Sequence, residues 1–403
     1  MALIVKKFGG SSVADADKIR RVAGIIADAY SEGHDLVIVL SAQGDTTDDL
    51  IEKATEINPS PSKREMDVLL STGEQISVAL MSMALEKMGL PVVSLTGWQI
   101  GMQTNSDYSN ARIKKLDGSR IKTELDKRRI VIIAGFQGIN KFDDITTLGR
   151  GGSDTTAVAI AANLHADICQ IYTDVEGVFT SDPRKVPNAR KLEEITYDEM
   201  LELASLGAQV LHNRSVEMAK RYGVNLEVLS SYERKPGTKV KEVVKKVEQT
   251  VISGVTKDVN AARIALVGLR DEPGVAFKIF RVLAKDKINV DIILQSIGRD
   301  NTKDITFTVS RADMEKAVEI LTDSKESIGY DHMSVEEKVA KVSIVGAGMI
   351  SSSGIASQMF EALYDAKVNI SMISTSEIKV SVIVDENEAD RAVLAIHSKF
   401  FGN

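Results

Sequence analysis

The 403-residue chain has one cysteine, one tryptophan and five histidines, and only 5% of its residues are aromatic. A single cysteine excludes an intrachain disulfide framework and a cysteine-based zinc site. Cys169 lies in an apolar run, residues 166–171, and we interpret it as a core thiol. The few histidines are not clustered, so we expect no metal site built from protein side chains.

An excess of positive charge and long hydrophobic runs are also missing. Fifty Lys and Arg residues against 57 Asp and Glu residues give a net charge of −7, without a long basic run. We therefore expect no nucleic-acid or membrane partner. No apolar stretch approaches the roughly 18 residues of a membrane span. The N-terminus enters a strand-like run without a signal-peptide pattern, which predicts a cytoplasmic protein.

Residues 1–235 alternate short apolar runs with amphipathic stretches. This pattern predicts βαβ units around a mainly parallel sheet, in which ligands bind beyond the carboxyl ends of the strands. Strands are predicted at Leu3–Lys7, Leu36–Ser41, Val92–Leu95, Ile130–Ala134, Ile168–Thr173 and Leu226–Leu229. Helices are predicted at Ala16–Tyr30, Met66–Met88, Asp154–Asn163 and Tyr197–Ala204.

A charged linker, residues 236–250, precedes an internal repeat. Gly274 and Gly354 are separated by 354 − 274 = 80 residues, and Phe280/Phe360 and Asn289/Asn369 keep this offset. Each copy has the βαββαβ order of a ferredoxin-like unit. We predict domains at 251–335 and 336–403, with the leading strand 251–258 able to pair with the second copy. Such tandem copies suggest a sensing device, and a purely structural dimerisation module is the alternative.

Two polar segments follow the first two predicted strands. In Lys7–Ser12, adjacent glycines let backbone N–H groups cradle an anion next to the lysine charge, although the spacing is not that of a Walker A loop. Ser41–Asp48 presents hydroxyl and amide groups to the same kind of ligand. Taken alone, the first segment is also consistent with a tight turn and the second with a helix-capping loop.

Two further segments carry chemistry later in the first domain. Gly149–Asp154 is a poor helix and strand former, so we expect it to serve through its backbone and charges. Its arginine can clamp a carboxylate, and its aspartate can hold Mg²⁺ or a lysine. Ser153 and Asp154 are alternatively caps of the helix that follows. Tyr172–Arg184 leaves a strand and turns at Gly177, which suggests the edge of a nucleotide site or a surface hairpin.

Together with Leu70–Glu74, these segments resemble the ordered motif set of the aspartokinases. The C-terminal repeat resembles their pair of ACT domains, which are small amino-acid-binding modules, notably at Asp271–Gly274 and Ile288–Ile292. The resemblance extends over essentially the whole chain and is to the monofunctional members, without a fused homoserine dehydrogenase. It implies a carbamate-kinase-like three-layer α/β sandwich with a mainly parallel sheet, followed by two ferredoxin-like ACT domains.

The activity implied by the resemblance is transfer of the γ-phosphoryl group of ATP, bound with Mg²⁺, to the side-chain carboxylate of L-aspartate. The product, 4-phospho-L-aspartate, leads to lysine, threonine and methionine. Elementary chemistry agrees with this activity. A side-chain carboxyl of pKa about 4 is ionised at neutral pH, so no general base is needed. The obstacle to the reaction is the repulsion between the carboxylate and the phosphate. Oriented hydrogen-bond donors and positive charge must offset this repulsion.

The resemblance also assigns roles to individual residues. Lys7 would bind the β- and γ-phosphates, and Asp154 would position Lys7 and the metal-bound phosphate without acting as a base. Arg150 would clamp the α-carboxylate of aspartate and Glu74 its α-ammonium. The complete substrate set is Thr47, Glu74, Arg150 and Ser153. The nucleotide set is Lys7, Gly9, Gly10, Ser11, Ser41, Thr173, Asp174, Phe179 and Arg184.

One position departs from the family pattern. Many relatives carry a lysine in a Gly-Ser/Ala-Lys motif, whereas this chain has Gln209. Either water mediates that contact, or Arg214 or Lys185 compensates. Two other functions are alternatives: a kinase of this fold acting on acetylglutamate, glutamate or a nucleotide, and an amino-acid-binding regulatory protein whose kinase domain has decayed.

For the repeat, the resemblance implies an effector pocket in which Asp291 faces an effector ammonium. Lysine, threonine or both are the implied effectors, and we favour lysine. ACT modules pair edge to edge across subunits, so a homo-oligomer, dimer or tetramer, is expected. The pocket residues are Gly274, Val275, Ala276, Val290, Asp291, Gln295 and Ser296.

Overall fold

The structure is a computed structural model that describes residues 1–206, 210–242, 251–297 and 302–402. The chain divides into two compact units. The first contains Met1–Phe179, Lys191–Ser205 and the described residues between 210 and 242. The second contains Thr180–Arg190, Leu206 and the described residues from 251 onward.

The first unit has twelve strands and seven helices in its described part. The strands are β1 (Leu3–Phe8), β2 (Asp35–Leu40), β3 (Val92–Leu95), β4 (Met102–Thr104), β5 (Ile113–Leu116), β6 (Ile130–Ala134), β7 (Gln137–Ile139), β8 (Ile145–Thr147), β9 (Ile168–Thr173), β10 (Glu194–Thr196), β11 (Leu226–Ser230) and β12 (Thr238–Lys241). The helices are α1 (Ala16–Ser31), α2 (Thr46–Ile57), α3 (Lys63–Lys87), α4 (Ser119–Asp126), α5 (Gly152–Leu164), α6 (Tyr197–Ser205) and α7 (Asn213–Tyr222).

Eight of these strands form one sheet in the order β10-β12-β11-β9-β1-β2-β6-β3. Every neighbouring pair is parallel except β11 and β12. The central strands β2 and β6 are continuous buried aliphatic runs, as expected for strands covered on both faces. Each strand predicted in the first domain is present here. These parallel strands confirm the predicted α/β class.

Helices cover the two faces of this sheet. On one face, Ile26 of α1 and Met81 of α3 pack in a single apolar cluster with Phe8 of β1. Because successive strand residues point to opposite faces, Lys7 points to the other face, which carries α5. Nearly every residue of α5 is buried, in agreement with its Ala-rich sequence. The first turn of α5 is therefore held at the carboxyl edge of β1.

One helix of the described part, α3, is long and apolar enough to cross a membrane by length and composition alone. Half of its most apolar window is buried inside the structure. Its buried residues include five polar ones, Asp67, Ser71, Glu74, Ser77 and Ser82. The helix therefore packs against the sheet while it carries carboxylates toward the interior.

A small second sheet was not predicted from the sequence. Its strands have the order β5-β4-β7-β8, and each is only three or four residues long. Such short strands give no alternating pattern that distinguishes them from a loop. The sheet has a structural consequence, because β8 ends at Thr147, immediately before the Gly149–Asp154 segment.

The second unit contains six strands and five helices in its described part. The strands are β13 (Gly254–Arg270), β14 (Val290–Ile297), β15 (Thr302–Val309), β16 (His332–Val345), β17 (Met372–Thr375) and β18 (Lys379–Asp385). The helices are α8 (Val275–Lys285), α9 (Met314–Asp323), α10 (Lys325–Ile328), α11 (Ile355–Asp365) and α12 (Ala389–Phe401).

Two long strands join the repeat copies into one antiparallel sheet, ordered β14-β15-β13-β16-β18-β17. The first part of β13 pairs with the last part of β16, from Gly254 with Val345 to Asp258 with Lys341. The sequence predicts that the leading strand 251–258 can pair with the second copy. The repeat does not predict that this segment continues into the first copy as one strand, β13. Each copy keeps its own core, one around Phe307 and one around Val382. The predicted boundaries at 235, 250 and 335 stay predictions, and residues 243–250 lie outside the described part.

Candidate active site

Lys7 and Asp154 form an ion pair at the carboxyl edge of the large sheet. Lys7 is the penultimate residue of β1, and Asp154 lies in the first turn of α5. Lys7 Nζ lies 2.6 Å from Asp154 Oδ1, and the side chains are only 12% and 11% exposed. Because charges partly shielded from water interact more strongly than charges on the surface, the carboxylate holds the ammonium in place. The structure thus brings together the two residues predicted to be catalytic.

The loop after Lys7 packs closely against the loop after β2. Gly44 N donates to Gly10 O over 3.0 Å. A Cβ on residue 10 would lie 2.6 Å from Ala42 O, so a larger residue would displace one of the loops. Among the described residues, the N–H groups of Gly10 and Ser11 have no hydrogen-bond partner. Two adjacent free N–H groups beside a lysine suit an anion.

The remaining predicted nucleotide residues, except Phe179 and Arg184, lie on neighbouring loops. Ser41 N donates to Phe8 O over 3.2 Å, so Ser41 adjoins the loop after β1. At the end of β9, Thr173 Oγ1 donates to Asp174 Oδ1 over 3.0 Å. Gly9 N donates to Tyr172 O over 3.3 Å, which places Gly9 beside the end of the same strand.

Two predicted nucleotide residues lie further along the chain. Phe179 is half-buried and forms an antiparallel bridge with Lys191. Arg184 belongs to the second unit, where its Nε and Nη2 each donate to Asp182 over 3.0 Å. The nucleotide role of both residues stays a prediction.

Glu74 is a buried carboxylate that is only half satisfied. Ala42 N donates to its Oε1 over 3.1 Å, whereas Oε2 has no hydrogen-bond partner within the described part of the chain. Burial raises the pKa of Glu74 to about 7. A buried polar atom without a partner is costly, and a cationic ligand group would remove this cost. Thr47, another predicted substrate residue, lies in the first turn of α2, beyond the same loop.

Arg150 is exposed, and no ion pair or hydrogen bond of its side chain is found in the described residues. Its loop is rigid on either side. Gly151 has φ +70°, and a Cβ there would lie 2.3 Å from His212 Cβ, so glycine is required. Burial lowers the pKa of His212, Asp154 opposes this change, and Arg214 and Arg150 reinforce it. An unpaired guanidinium on a fixed loop suits a carboxylate ligand.

Ser153, the last predicted substrate residue, is buried in the first turn of α5. A Cβ on Gly135 would lie 2.7 Å from Ser153 Oγ, so the hydroxyl fills the space at the end of β6. The next residue, Phe136, has φ +69°, a conformation that side chains other than glycine adopt at a cost. The structure thus places Ser153 between the sheet edge and the Arg150 loop.

Asp67 is a positioning residue that sequence reasoning missed. Its buried carboxylate accepts hydrogen bonds from Ser109 N at 2.9 Å, from Thr147 N at 2.9 Å and from Thr147 Oγ1 at 2.7 Å. It therefore ties the 107–110 turn to the strand that precedes Arg150. The helical spacing could have indicated it. Residues 67, 71 and 74 share one face of a helix, so Asp67 lies on the same face as the predicted substrate residue Glu74.

Arg214 stabilises the same loop from the other side. Its Nη1 donates to Leu148 O over 2.9 Å and its Nη2 donates to Ala111 O over 2.7 Å. This residue was considered as a replacement for a phosphate-side lysine. Here its guanidinium contacts backbone carbonyls next to the Gly149–Asp154 loop. Gln209 lies outside the described residues, and Lys185 pairs with Asp390 over 3.2 Å in the second unit.

The predicted effector residues lie in the first repeat copy. Gly274, with φ +96°, precedes α8, which begins at Val275 and Ala276. Val290, Gln295 and Ser296 lie on the edge strand β14. On the same strand, Asp291 Oδ2 accepts a hydrogen bond from Lys341 Nζ. An effector ammonium would have to share this carboxylate with Lys341.

Comparison with known proteins agrees with this geometry. Residues 2–230 match the amino acid kinase family, and residues 264–324 and 342–400 match the ACT domain. An aspartate kinase of Pseudomonas putida is 50% identical over 401 residues, which cover 99% of this chain and 98% of the relative. The chain belongs to the aspartokinase family.

Solved aspartokinase structures have the same fold. E. coli aspartokinase III in complex with aspartate and ADP, described as the R-state, is 27% identical with a TM-score of 0.83, over 99% of this chain and 100% of that one. The same enzyme with lysine and aspartate, the T-state, is 26% identical with a TM-score of 0.77, over 99% of each chain. The predicted family and activity are confirmed: the chain is an aspartate kinase of amino-acid biosynthesis with regulatory ACT domains.

The raised pKa of Glu74 predicts a pH dependence of aspartate binding. If the α-ammonium binds the ionised carboxylate, kcat/KM for aspartate should fall by about tenfold from pH 8 to pH 6, because a group with a pKa near 7 is mostly protonated at pH 6. Initial rates at low aspartate and saturating ATP measure this ratio. The Glu74→Gln variant should have a low and pH-independent ratio. An unchanged profile in that variant would assign the titration to another group.

Proposed function

We propose that the carboxyl edge of the large sheet binds ATP and aspartate side by side, and that Lys7, Asp154, Glu74 and Arg150 divide the work of phosphoryl transfer. The observation that carries this proposal is that two different kinds of binding group lie at one edge of the sheet. A lysine held by a carboxylate and two free N–H groups suit phosphates, whereas an unpaired arginine and a half-satisfied glutamate suit an amino acid.

The phosphate side would act by stabilising charge. Lys7, with the free N–H groups of Gly10 and Ser11, would bind the transferred phosphoryl group and the leaving phosphate. The 2.6 Å contact with Asp154 fixes the ammonium before the substrate arrives, so little reorganisation is needed as charge develops. Gly9, Ser41, Thr173, Asp174, Phe179 and Arg184 would border the remainder of the nucleotide.

The substrate side would act by orientation. Arg150 would bind the α-carboxylate in two parallel hydrogen bonds, and the free Oε2 of Glu74 would accept the α-ammonium. Thr47 and Ser153 would complete the pocket, so that the side-chain carboxylate faces the phosphate. That carboxylate is already ionised at neutral pH, so Asp154 need not remove a proton.

Mg²⁺ would enter with the nucleotide. No cluster of three metal-ligating side chains is found in the described residues. A nucleotide-bound Mg²⁺ needs only one or two carboxylates, since phosphate oxygens and water supply the other ligands. Asp154, beside the phosphate-side lysine, fits this need. The metal would neutralise phosphate charge, and Lys7 and Asp154 would orient the phosphates.

Trapping of the acyl phosphate tests the substrate assignment directly. With ATP, Mg²⁺ and hydroxylamine, aspartate should give the β-hydroxamate. Glutamate and acetylglutamate, which differ in chain length or lack the free ammonium, should give none above background. Hydroxamate from either of these compounds and none from aspartate would contradict the proposal.

Removal of the arginine tests the substrate clamp. We expect Arg150→Ala to raise KM for aspartate by roughly 10²-fold, because a charge-assisted bidentate contact contributes several kcal/mol. KM for ATP should change much less. The matched control is Lys115→Ala, which removes the same charge from an exposed position of β5. An unchanged KM for aspartate in the Arg150 variant would remove this residue from the substrate site.

We further propose that lysine, threonine or both inhibit the enzyme through the first repeat copy, with lysine favoured. The turn at Gly274, Val275 and Ala276 would bind the effector carboxylate, and Asp291 would attract its ammonium. Val290, Gln295 and Ser296 would line the other side. The lysine-bound T-state of the E. coli enzyme supports this choice.

Removal of Asp291 should separate regulation from catalysis. We expect Asp291→Ala to keep kcat near that of the wild type and to weaken lysine inhibition by tenfold or more, because an ammonium loses its charged partner. The control is Asp286→Ala, at the far end of α8, where the carboxylate pairs with Lys316 over 3.2 Å. Equal inhibition of the two variants would place the pocket elsewhere.

The edge strands β14 and β17 support a proposed homo-oligomer, because each leaves one row of backbone groups unpaired within the described sheet. We propose a dimer or tetramer through these edges, with an effector at the interface. Sedimentation velocity with and without lysine measures the size of the oligomer.

The proposed compartment is the cytoplasm, which supplies ATP and aspartate.

A further inference from the structure

A groove beside the catalytic loops has a composition that phosphoryl transfer does not explain. It lies in the first unit, between the outer face of α7, the start of β5 and α6, and is open to solvent, with a volume of about 850 Å³. We call it the α7 groove. Its α7 wall consists of side chains spaced as one face of a helix, namely Arg214, Glu217, Met218, Arg221 and Tyr222. Arg112 and Ile113 line the β5 side, and Leu201 lines the α6 side.

Positive charge in the α7 groove exceeds negative charge. Arg112 and Arg221 have no ion pair with any residue that the structure describes, and both are exposed. Lys220, which also lines the groove, is paired with Asp198 over 2.6 Å. Among the lining residues that the structure describes, Glu217 alone carries a carboxylate. In a chain of net charge −7, three guanidinium groups facing one concave surface form a local attraction for anions.

Arg214 is the most informative of the three. It is half-buried and contacts two neutral carbonyl oxygens rather than a carboxylate. Burial, reinforced by the nearby charge of Arg112, lowers its pKa. Only two of the five N–H donors of a guanidinium are used in the described contacts. A bound anion would therefore stabilise Arg214 without displacing its present partners.

The other residues that line the groove are apolar or aromatic, and this limits the class of ligand that the groove can bind. Ile113, Leu201 and Met218 are apolar, and the Tyr222 ring is 61% exposed at the end of α7. An inorganic anion would leave this surface in water. We infer that the α7 groove is a binding site for a small organic anion that carries a phosphate or carboxylate next to an apolar or aromatic body.

Such a site is coupled to the catalytic edge through Arg214. The carbonyl groups that it holds belong to Leu148 and Ala111, and Leu148 directly precedes the loop with Arg150. A ligand that fixes Arg214 fixes this loop as well. Because coupling between sites is reciprocal, occupation of the groove changes the affinity for aspartate, and aspartate changes the affinity of the groove. This second part rests on the proposed role of Arg150.

Calorimetric titration of the full chain tests the binding site. The probes are 1-naphthyl phosphate and 1-naphthoate, which distinguish a phosphate from a carboxylate ligand, and inorganic phosphate tests the need for the apolar body. Saturating ADP, Mg²⁺ and aspartate fill the catalytic site without turnover. We expect one naphthyl probe to bind saturably, and inorganic phosphate to bind at least tenfold more weakly.

Two double variants with the same change of charge decide where the probe binds. Arg112→Gln with Arg221→Gln should weaken binding by about tenfold or more, because two charge-assisted contacts are lost. Lys114→Gln with Lys122→Gln, at exposed positions outside the groove lining, should bind as the wild type does. Equal loss in both variants, or no saturable binding to the wild type, would overturn the proposal.

The coupling between the α7 groove and the aspartate site is measured separately, by enzyme kinetics. At saturating probe, KM for aspartate should change at least twofold in the wild type and in the Lys114/Lys122 variant, but not in the Arg112/Arg221 variant. A probe that binds in the groove with no change in KM would overturn the coupling and leave the binding site intact. If the wild type forms no hydroxamate from aspartate, the proposed function itself is refuted.

Discussion

The contact on which the catalytic unit depends is the ion pair between Lys7 and Asp154. It joins the end of the central strand β1 to the first turn of the buried helix α5, and it sets the position of the positive charge before any ligand binds. The surrounding loops are arranged around it. Gly10 allows the loop after β1 to lie against the loop after β2, and Gly151 allows the loop before α5 to lie against His212. The site is thus organised in advance, as electrostatic stabilisation of phosphoryl transfer requires.

A second layer of contacts fixes the substrate side. Asp67 and Arg214 approach the polypeptide before Arg150 from different elements, one by accepting hydrogen bonds and the other by donating them. Arg150 itself stays free to bind. This division explains why the chain keeps charged groups half-buried in an otherwise apolar interior. A ligand of Arg214 would therefore act on the loop that carries Arg150, and the site that we infer in the α7 groove would be a regulatory input separate from the ACT repeat.

Most of the large sheet and the active-site segments could be predicted from the sequence. Strands such as β2 and β6 are continuous aliphatic runs, and motifs such as Gly149–Asp154 have a composition that neither helix nor strand explains. The small sheet of β4, β5, β7 and β8 could not be predicted, because three or four residues carry no measurable period. The pairing of the leading strand with the second copy could be suggested from the sequence, but a repeat of equal units does not reveal that β13 and β16 each run as one strand along both copies. Asp67 was missed because a single buried aspartate on a helix carries no motif.

The class of the fold, the family and the activity could be inferred from the amino-acid sequence, because periodicity and ordered motifs are local properties of the chain. Which charged groups meet became known from the folded chain. Lys7 and Asp154 are far apart in the sequence, and they meet because β1 ends and α5 begins at the carboxyl edge of the parallel sheet. Asp67 and Thr147 are also far apart, and they meet because α3 packs against the end of β8. The partial burial that raises the pKa of Glu74 and leaves one of its oxygens without a partner is likewise a property of packing. The sequence thus identifies the functional side chains, and folding sets the distances between them.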